Sequence, residues 1–304
     1  MLDPWRLKLL GDLAALGTVR AVAQAAHLSP STVSQQLAVL EREAGARLFE
    51  RSGRRLRLTD AGLTLARHAR TILDQMETAR AELATLDDAT PAGRLTIGAF
   101  TSAANTFVLT AIQRLRAEVP RLRIDIRELD PTETIPALRR GACDIAVTAD
   151  QFDGTAPIDD EILHTPLTAD PIVLVTAATA RTTASLGDYR DALWSAERPD
   201  SWTHDLITRA CRRAGFEPDF NAHFASYGPL LAHVEAGLSV TLLPELAVDA
   251  RYDVTAHPLR DPLERHITAA VRASSATRPA IAAALATLRS AAAPPATAPA
   301  PAGR

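Results

Sequence analysis

The chain has 304 residues, 47% of them hydrophobic and 23% charged, which is a globular balance with room for a full core and no need of a disulfide or metal staple. Its apolar runs fall short of the roughly 20 residues of a bilayer span, its first residues lack signal-peptide features, and two cysteines cannot build a disulfide framework or cysteine zinc site. The net charge of −3 hides an asymmetry, because residues 1–60 hold nine basic and six acidic groups whereas residues 61–304 hold 24 and 30.

The first predicted element is a helix over roughly Pro4–Leu16, with Pro4 in the first turn and Trp5, Leu9, Leu13 and Leu16 on its apolar side. Thr18 is placed to cap a short second helix carrying Val22, Ala23 and Ala26. A turn at His27-Leu28 leads to Ser29-Pro30, a cap residue followed by proline at the first helical position. The third helix turns Val33, Leu37, Leu40 and Ala44 inward and ends at Gly45. Leu48-Phe49 form an apolar anchor for two strand-like stretches, at 47–51 and 56–59, around the basic turn Arg51-Ser52-Gly53-Arg54-Arg55. Residues 1–59 therefore read as an all-α winged helix-turn-helix domain.

The third helix is the candidate DNA reader. Recognition helices present their N-terminal residues to base edges, and glutamine bonds adenine at N6 and N7. Gln35 and Gln36 are thus candidates for base contacts, and Ser29, Ser31, Thr32 and Ser34 for bases or phosphates. Residues 47–57 hold five arginines and one glutamate, and Arg51, Arg54 and Arg55 would pair with phosphates or enter the minor groove. Any one of these side chains could equally be part of a solvated face. Only Trp5 and Phe49 are aromatic in residues 1–60, which offers no stacking platform and favours duplex DNA over RNA.

Residues 60–88 predict one long helix. Leu65, Ala69, Ile72, Met76, Ala79, Leu83 and Leu86 alternate steps of four and three, a period that pairs helices along a narrow seam. We read it as a dimerisation helix, the alternative being a helix lying on its own domain's core. Residues 89–93 are a hinge by composition.

From residue 94 the pattern is α/β, with strand candidates at 95–100, 122–127, 144–148, 172–176, 221–224, 239–242 and 267–271. Helical stretches at 104–118, 131–140, 203–214 and 228–236 separate many of them, which argues for parallel sheets covered by helices. Two similar subdomains result, the first at about 94–166 and 267–290, the second at about 167–266. The tail at 291–304 is expected to be disordered.

Three clusters would line a cleft between these subdomains. Thr101 and Ser102 follow a strand and precede a helix, where hydroxyls and free N–H groups can dock an anion such as a carboxylate. Ser201, Trp202 and Thr203 start a second helix, and Ser226 and Tyr227 a third, with Thr148 and Asp150 weaker candidates. The plain alternative is that Ser102, Thr203 and Ser226 are N-caps. Catalytic motifs are missing, no histidine pair has zinc-site spacing, and Cys143 and Cys211 read as buried packing residues. No metal, cofactor or enzymatic activity is expected.

Residues 2–66 resemble the DNA-binding domain of LysR-type transcriptional regulators. The resemblance rests on the stretch Thr18-Val19-Arg20-Ala21-Val22-Ala23-Gln24-Ala25-Ala26-His27-Leu28-Ser29 and on Val33-Ser34-Gln35-Gln36-Leu37 with Leu40-Glu41. It continues through Gly45-Ala46-Arg47-Leu48-Phe49-Glu50-Arg51 and Leu58-Thr59-Asp60-Ala61-Gly62. The family commonly has Gln-Pro where Pro30-Ser31 stands here, so first-turn base contacts are not carried over. Leu95-Thr96-Ile97-Gly98, the stretch Leu138-Arg139-Arg140-Gly141-Ala142-Cys143-Asp144-Ile145-Ala146 and the stretch Ala236-Gly237-Leu238-Ser239-Val240-Thr241-Leu242-Leu243-Pro244 extend it less specifically.

The resemblance implies a linker helix feeding two Rossmann-like subdomains of periplasmic-binding-protein type, with a small effector between them. It implies a cytoplasmic homodimer or homotetramer that binds double-stranded DNA, with RNA polymerase a further partner. Two rivals remain: a metabolite-binding or catalytic module with a vestigial DNA-binding domain, and an effector-independent DNA-binding protein.

Overall fold

The computed structural model describes residues 1–52, 55–87, 91–149, 160–179 and 185–293, without the side chains of residues 51, 52, 55, 80–82 and 84–87. Arg54, Asp150, residues 89 and 90 of the hinge and residues 294–304 therefore lie outside the described residues. So do the side chains of Arg51, Arg55 and Leu86.

Local capping chemistry sets the first three helices. Asp3 accepts from the Trp5 and Arg6 N–H groups at the head of α1 (Pro4–Leu16), and Gly17, at φ +74°, ends it. Thr18 caps α2 (Val19–Ala26), and His27 closes it in the left-handed region at φ 55°. Ser29 accepts from the Thr32 N–H to start α3 (Pro30–Ala44). The inward face of α3 is as expected, with Val33, Leu37 and Leu40 buried. On α1 the expected face is corrected: Trp5 and Leu16 are 44% and 40% exposed, while Leu7 and Leu10 are buried beside Leu9 and Leu13. This helix is wedged between α2, α3 and the following long helix, so it buries a broad face rather than one stripe.

Strands β1 (Phe49–Ser52) and β2 (Arg55–Leu58) pair antiparallel to form the wing. Glu41 holds its base by accepting from the Leu48 and Phe49 N–H groups at 2.8 and 3.1 Å. Thr59 Oγ1 donates to the Arg47 carbonyl, and the Thr59 N–H donates to that of Leu48. The long helix α4 (Asp60–Asp87) starts there, and it needs Gly62, where a Cβ would run into the Leu48 carbonyl oxygen.

The C-terminal part opens with β3 (Gly93–Ala99), then α5 (Thr101–Ala103) running through a π turn into α6 (Leu109–Glu118). There follow β4 (Leu122–Glu128), α7 (Pro131–Arg139), β5 (Ile145–Ala149) and the long β6 (Ile162–Ala177). The next four elements are β7 (Leu193–Glu197), α8 (Trp202–Arg213), β8 (Asp219–Phe224) and α9 (Tyr227–Glu235). Last come β9 (Thr241–Pro244), the long β10 (Val254–Arg272) and α10 (Pro279–Ala292).

One sheet runs β4-β3-β5-β10-β6-β9, and β7 and β8 form a second, parallel pair. Parallel pairing alone does not describe the fold. β10 pairs antiparallel with β5 through Ile267–Val271 and with β6 along its length, so these two strands pass from one subdomain into the other. They were legible only as the short apolar runs at their ends, because their middles carry charged and polar residues. β7 and α10 were not anticipated. The latter's Ile281, Ala284 and Leu288 complete the core of subdomain I against Leu95, Ile97 and Ala111, and the helix runs one residue past the expected start of the tail.

Candidate functional site: a DNA interface, a cleft and the helix between them

The start of α3 carries a hydroxyl cluster. Ser29 Oγ lies 2.7 Å from Ser31 Oγ and 2.8 Å from Thr32 Oγ1, and Ser34 Oγ donates to the Pro30 carbonyl at 2.9 Å. Ser29, Ser31, Ser34 and Gln35 are exposed, whereas Thr32 and Gln36 are half-buried. Gln36 has a structural partner, since its Oε1 accepts from Arg6 Nη1 at 3.2 Å. Arg6 in turn pairs with Glu43 at 2.6 Å, which raises its pKa and lowers that of the carboxyl. Thus Gln35 stands on the open face, and Gln36 ties α3 to α1. Arg51 and Arg55 lie on the two wing strands, with Ser52 facing Arg55 in the register.

The cleft residues come together around an arginine that the sequence reading missed. Arg265, on β10, is fully buried and donates from Nε and Nη2 to Asp170 Oδ2 at 3.0 and 2.6 Å. Its Nη2 also donates to Ser102 Oγ at 2.7 Å. The guanidinium lies 4.5 Å from the Phe100 ring centroid and 5.1 Å from that of Trp202, so aromatic side chains of both subdomains flank it. Arg265 Nη1 has no hydrogen-bond partner among the described residues.

The first subdomain also reaches the second through Asp130. Its Oδ1 caps α7 at the Thr132 N–H, and its Oδ2 accepts from the Trp202 N–H at 3.3 Å. Ser201 caps α8 at the His204 N–H. Thr203 donates to Glu197 Oε2 at 2.8 Å and lies 3.4 Å from the Tyr227 hydroxyl. Burial raises the pKa of both Glu197 and Tyr227, and the Glu197 charge raises that of Tyr227 further. Thr101 donates to Glu128 at 2.5 Å, and Thr148 to the Pro131 carbonyl at 3.4 Å.

None of Ser102, Thr203 and Ser226 makes a side-chain capping bond. Ser102 lies inside α5, Thr203 follows the cap residue Ser201, and Ser226 is at the cap position of α9 without the bond. The open part of the cleft is a cavity of about 250 Å³. Thr101 and Tyr227 reach its wall, while Ser102, Thr148, Trp202 and Thr203 are packed behind. Among the described residues, the wall holds Glu128, Asp130, Glu133 and Glu197 against Arg198 alone. The α8 N-terminus is served by Ser201 and Asp130, and the opening is acidic.

The expected pairing seam on α4 is divided. Ala69 is fully buried and Leu65 half-buried against the chain's own DNA-binding core, so the alternative reading holds for that first part. Met76 is half-buried, and Ile72 and Leu83 are exposed, Leu83 by 65%. Another face of α4 contacts subdomain I, where Asp74 accepts from Arg272 at 2.9 and 3.2 Å and from Ser274 at 3.0 Å. Arg272 Nη1 also donates to the Leu138 and Cys143 carbonyls, both at 2.9 Å.

Residues 5–63 match the bacterial regulatory helix-turn-helix protein of the LysR family, and residues 88–293 match the LysR substrate binding domain. The chain belongs to the LysR family. This LysR-type transcriptional regulator thus joins a helix-turn-helix domain to an effector-binding domain built of two Rossmann-like subdomains. It is 29% identical over 292 residues to the probable HTH-type transcriptional regulator LrrA of Synechococcus elongatus, covering 93% of this chain and 95% of that one. It is 28% identical to the DNA-binding transcriptional dual regulator OxyR of Escherichia coli, over 80% of this chain and 79% of that one. Its fold is similar to that of a full-length OxyR variant from Pseudomonas aeruginosa, with a TM-score of 0.70 at 24% identity, over 95% and 98% of the two chains. ArgP from Mycobacterium tuberculosis gives 0.68 at 23% identity, over 96% and 97%.

Among the described residues, no helix is long and apolar enough to cross a membrane, and no group of three or more His, Cys, Asp or Glu could hold a metal ion. Cys143 and Cys211 are buried, and burial pushes their thiols up to about 11 and about 12.

Proposed function

We propose that this LysR regulator reads duplex DNA in the cytoplasm as a homodimer or a dimer of dimers, under control of a small effector held between its subdomains. The observation that carries the effector reading is Arg265. It is clamped by Phe100 from one subdomain and Trp202 from the other, so a change in closure of the cleft repositions a buried charge. The exposed Ser31 and Gln35 with the arginine-bearing wing form the groove-facing surface. Exposed Ile72 and Leu83 supply the part of α4 that meets a partner helix.

The acidic opening disfavours an effector whose only charged group is a carboxylate. Several relatives are named hydrogen peroxide-inducible genes activators, among them that of Pectobacterium carotovorum. A thiol-based peroxide response does not suit this chain, because both described thiols are buried and held protonated. Footprinting of the full-length protein on DNA upstream of its own gene tests the reading, with protection expected at a partly palindromic site. An unprotected region at moderate salt would refute it. Thermal-shift screening then identifies the effector, because a ligand that binds only the folded chain raises its melting temperature.

A further inference from the structure

A second cavity, of about 370 Å³, lies where the DNA-binding domain meets subdomain I. α1 contributes Ala14, α4 contributes Leu63 and Ala66, and the start of β6 contributes Ile162, giving an apolar surface. Among the described residues, the same cavity is lined by five arginines against Asp160 and Glu161. Arg272 is neutralised by Asp74, and Arg67 lies 3.9 Å from Glu161.

Arg70 and Arg140 are placed differently. Among the described residues neither has a carboxylate within ion-pair distance. Arg70 Nη2 donates to main-chain carbonyls, those of Arg140 at 3.2 Å and Gly141 at 3.1 Å. Its guanidinium occupies the space a Cβ at Gly141 would need, and Gly141 sits at φ +70°. Asp74, one helical turn further on, is engaged by Arg272 and Ser274. Burial and the neighbouring Arg272 lower the Arg70 pKa, and the more distant Asp74, Asp144 and Asp12 offset this only in part.

We propose that this junction cavity binds a small amphipathic organic anion, with its carboxylate reached by Arg70 and Arg140 and its apolar body against Leu63, Ala66 and Ile162. The volume lies at the lower end of ordinary small-molecule pockets. A forked guanidinium beside an apolar wall recognises a carboxylate on a hydrocarbon body better than a free inorganic anion. Such a ligand touches the DNA-binding domain and subdomain I at once. It therefore favours one placement of the two and couples to DNA binding independently of the cleft.

Octanoate is the probe, titrated calorimetrically into the full-length protein, with acetate and octylamine as controls. We expect octanoate to bind at one site per chain and the two controls not to bind. Arg140 and Leu63 are exposed, so Arg140→Glu and Leu63→Glu should leave the circular dichroism spectrum unchanged. Each should weaken octanoate about tenfold or more, the effect of losing or opposing a charge-assisted contact. The cleft variant Trp202→Phe should bind octanoate like the parent. The proposal is overturned by the absence of millimolar binding or by an affinity indifferent to both charge variants. Loss of octanoate in Trp202→Phe overturns it by placing the ligand in the cleft. An affinity that falls as protein concentration rises overturns it by making a second copy the occupant.

Discussion

Asp74 on α4 and Arg272 on β10 form a two-point salt bridge, Oδ2 to Nε at 2.9 Å and Oδ1 to Nη2 at 3.2 Å, between residues 198 apart in the chain. Both are almost fully buried, at 4% and 7% exposure. The same strand carries Arg265 in the cleft, so β10 connects the effector site to the helix that leads to DNA. Removing Asp74 leaves the buried Arg272 with a longer contact to Asp144, Nη2 to Oδ1 at 3.5 Å. We expect Asp74→Ala to destabilise the chain by about 3–5 kcal/mol in urea unfolding, and Asp74→Leu with Arg272→Met to recover much of the loss.

Gln35 and the wing arginines should behave differently on DNA. Gln35→Ala is expected to cost about 1–3 kcal/mol on the cognate site and to relax base preference there. Arg54→Ala and Arg55→Ala should weaken all sequences alike and reduce the salt slope by about one each. Quantitative gel shifts at several salt concentrations check this, and identical profiles for the two classes would refute the division of roles.

The exposed part of α4 predicts assembly. Leu83 is 65% exposed, so Leu83→Glu should leave the fold of one chain intact. Placed in a helix-pairing seam, the charge should shift sedimentation from dimer to monomer and weaken operator binding. A variant that sediments like the parent would remove this face from the interface.

Both described thiols should be silent to alkylation at neutral pH in the native protein and reactive once it is unfolded. Their pKa values are raised to about 11 and about 12, above the ordinary cysteine value of about 8.5. Between those limits the native chain holds protons that the unfolded chain has released. Stability from these groups is therefore complete below about pH 8.5 and declines as pH rises toward 11–12. Rapid labelling by iodoacetamide at pH 7 in native buffer would contradict the burial.

Asp130 links the subdomains through the Trp202 N–H and caps α7 at the same time. Asp130→Ala should lower stability by about 0.5–2 kcal/mol through the lost cap. It should also loosen the cleft, seen as faster amide exchange at the start of α8 than in Ser201→Ala, which removes only the local cap.

Much of the N-terminal domain was legible because its signals are local. Ser29 with Pro30, Thr18 and Gly45 act within a turn of their own positions, and the caps stand where the sequence put them. The inward face of α3 follows from helical period alone. The face of α1 did not, since how much of a helix is buried depends on how many neighbours surround it. Arg265 was missed because it lies outside the apolar run at 267–271 that marked its strand. Its role comes from Asp170, Phe100 and Trp202, which are distant in the chain.

The net charge of −3 carries no sign of a DNA partner until it is divided into a basic start and an acidic remainder. The order of residues was enough to specify the helix-turn-helix domain, the long helix and the α/β class, because capping, periodicity and local charge act over a few residues. It took the folded chain to choose which face of α4 docks on its own domains, to assign Gln36 to Arg6, and to open the cleft on carboxylates. Each of those outcomes is a pairing between residues brought together by folding, and a pairing of that kind leaves no period or spacing in the chain to read.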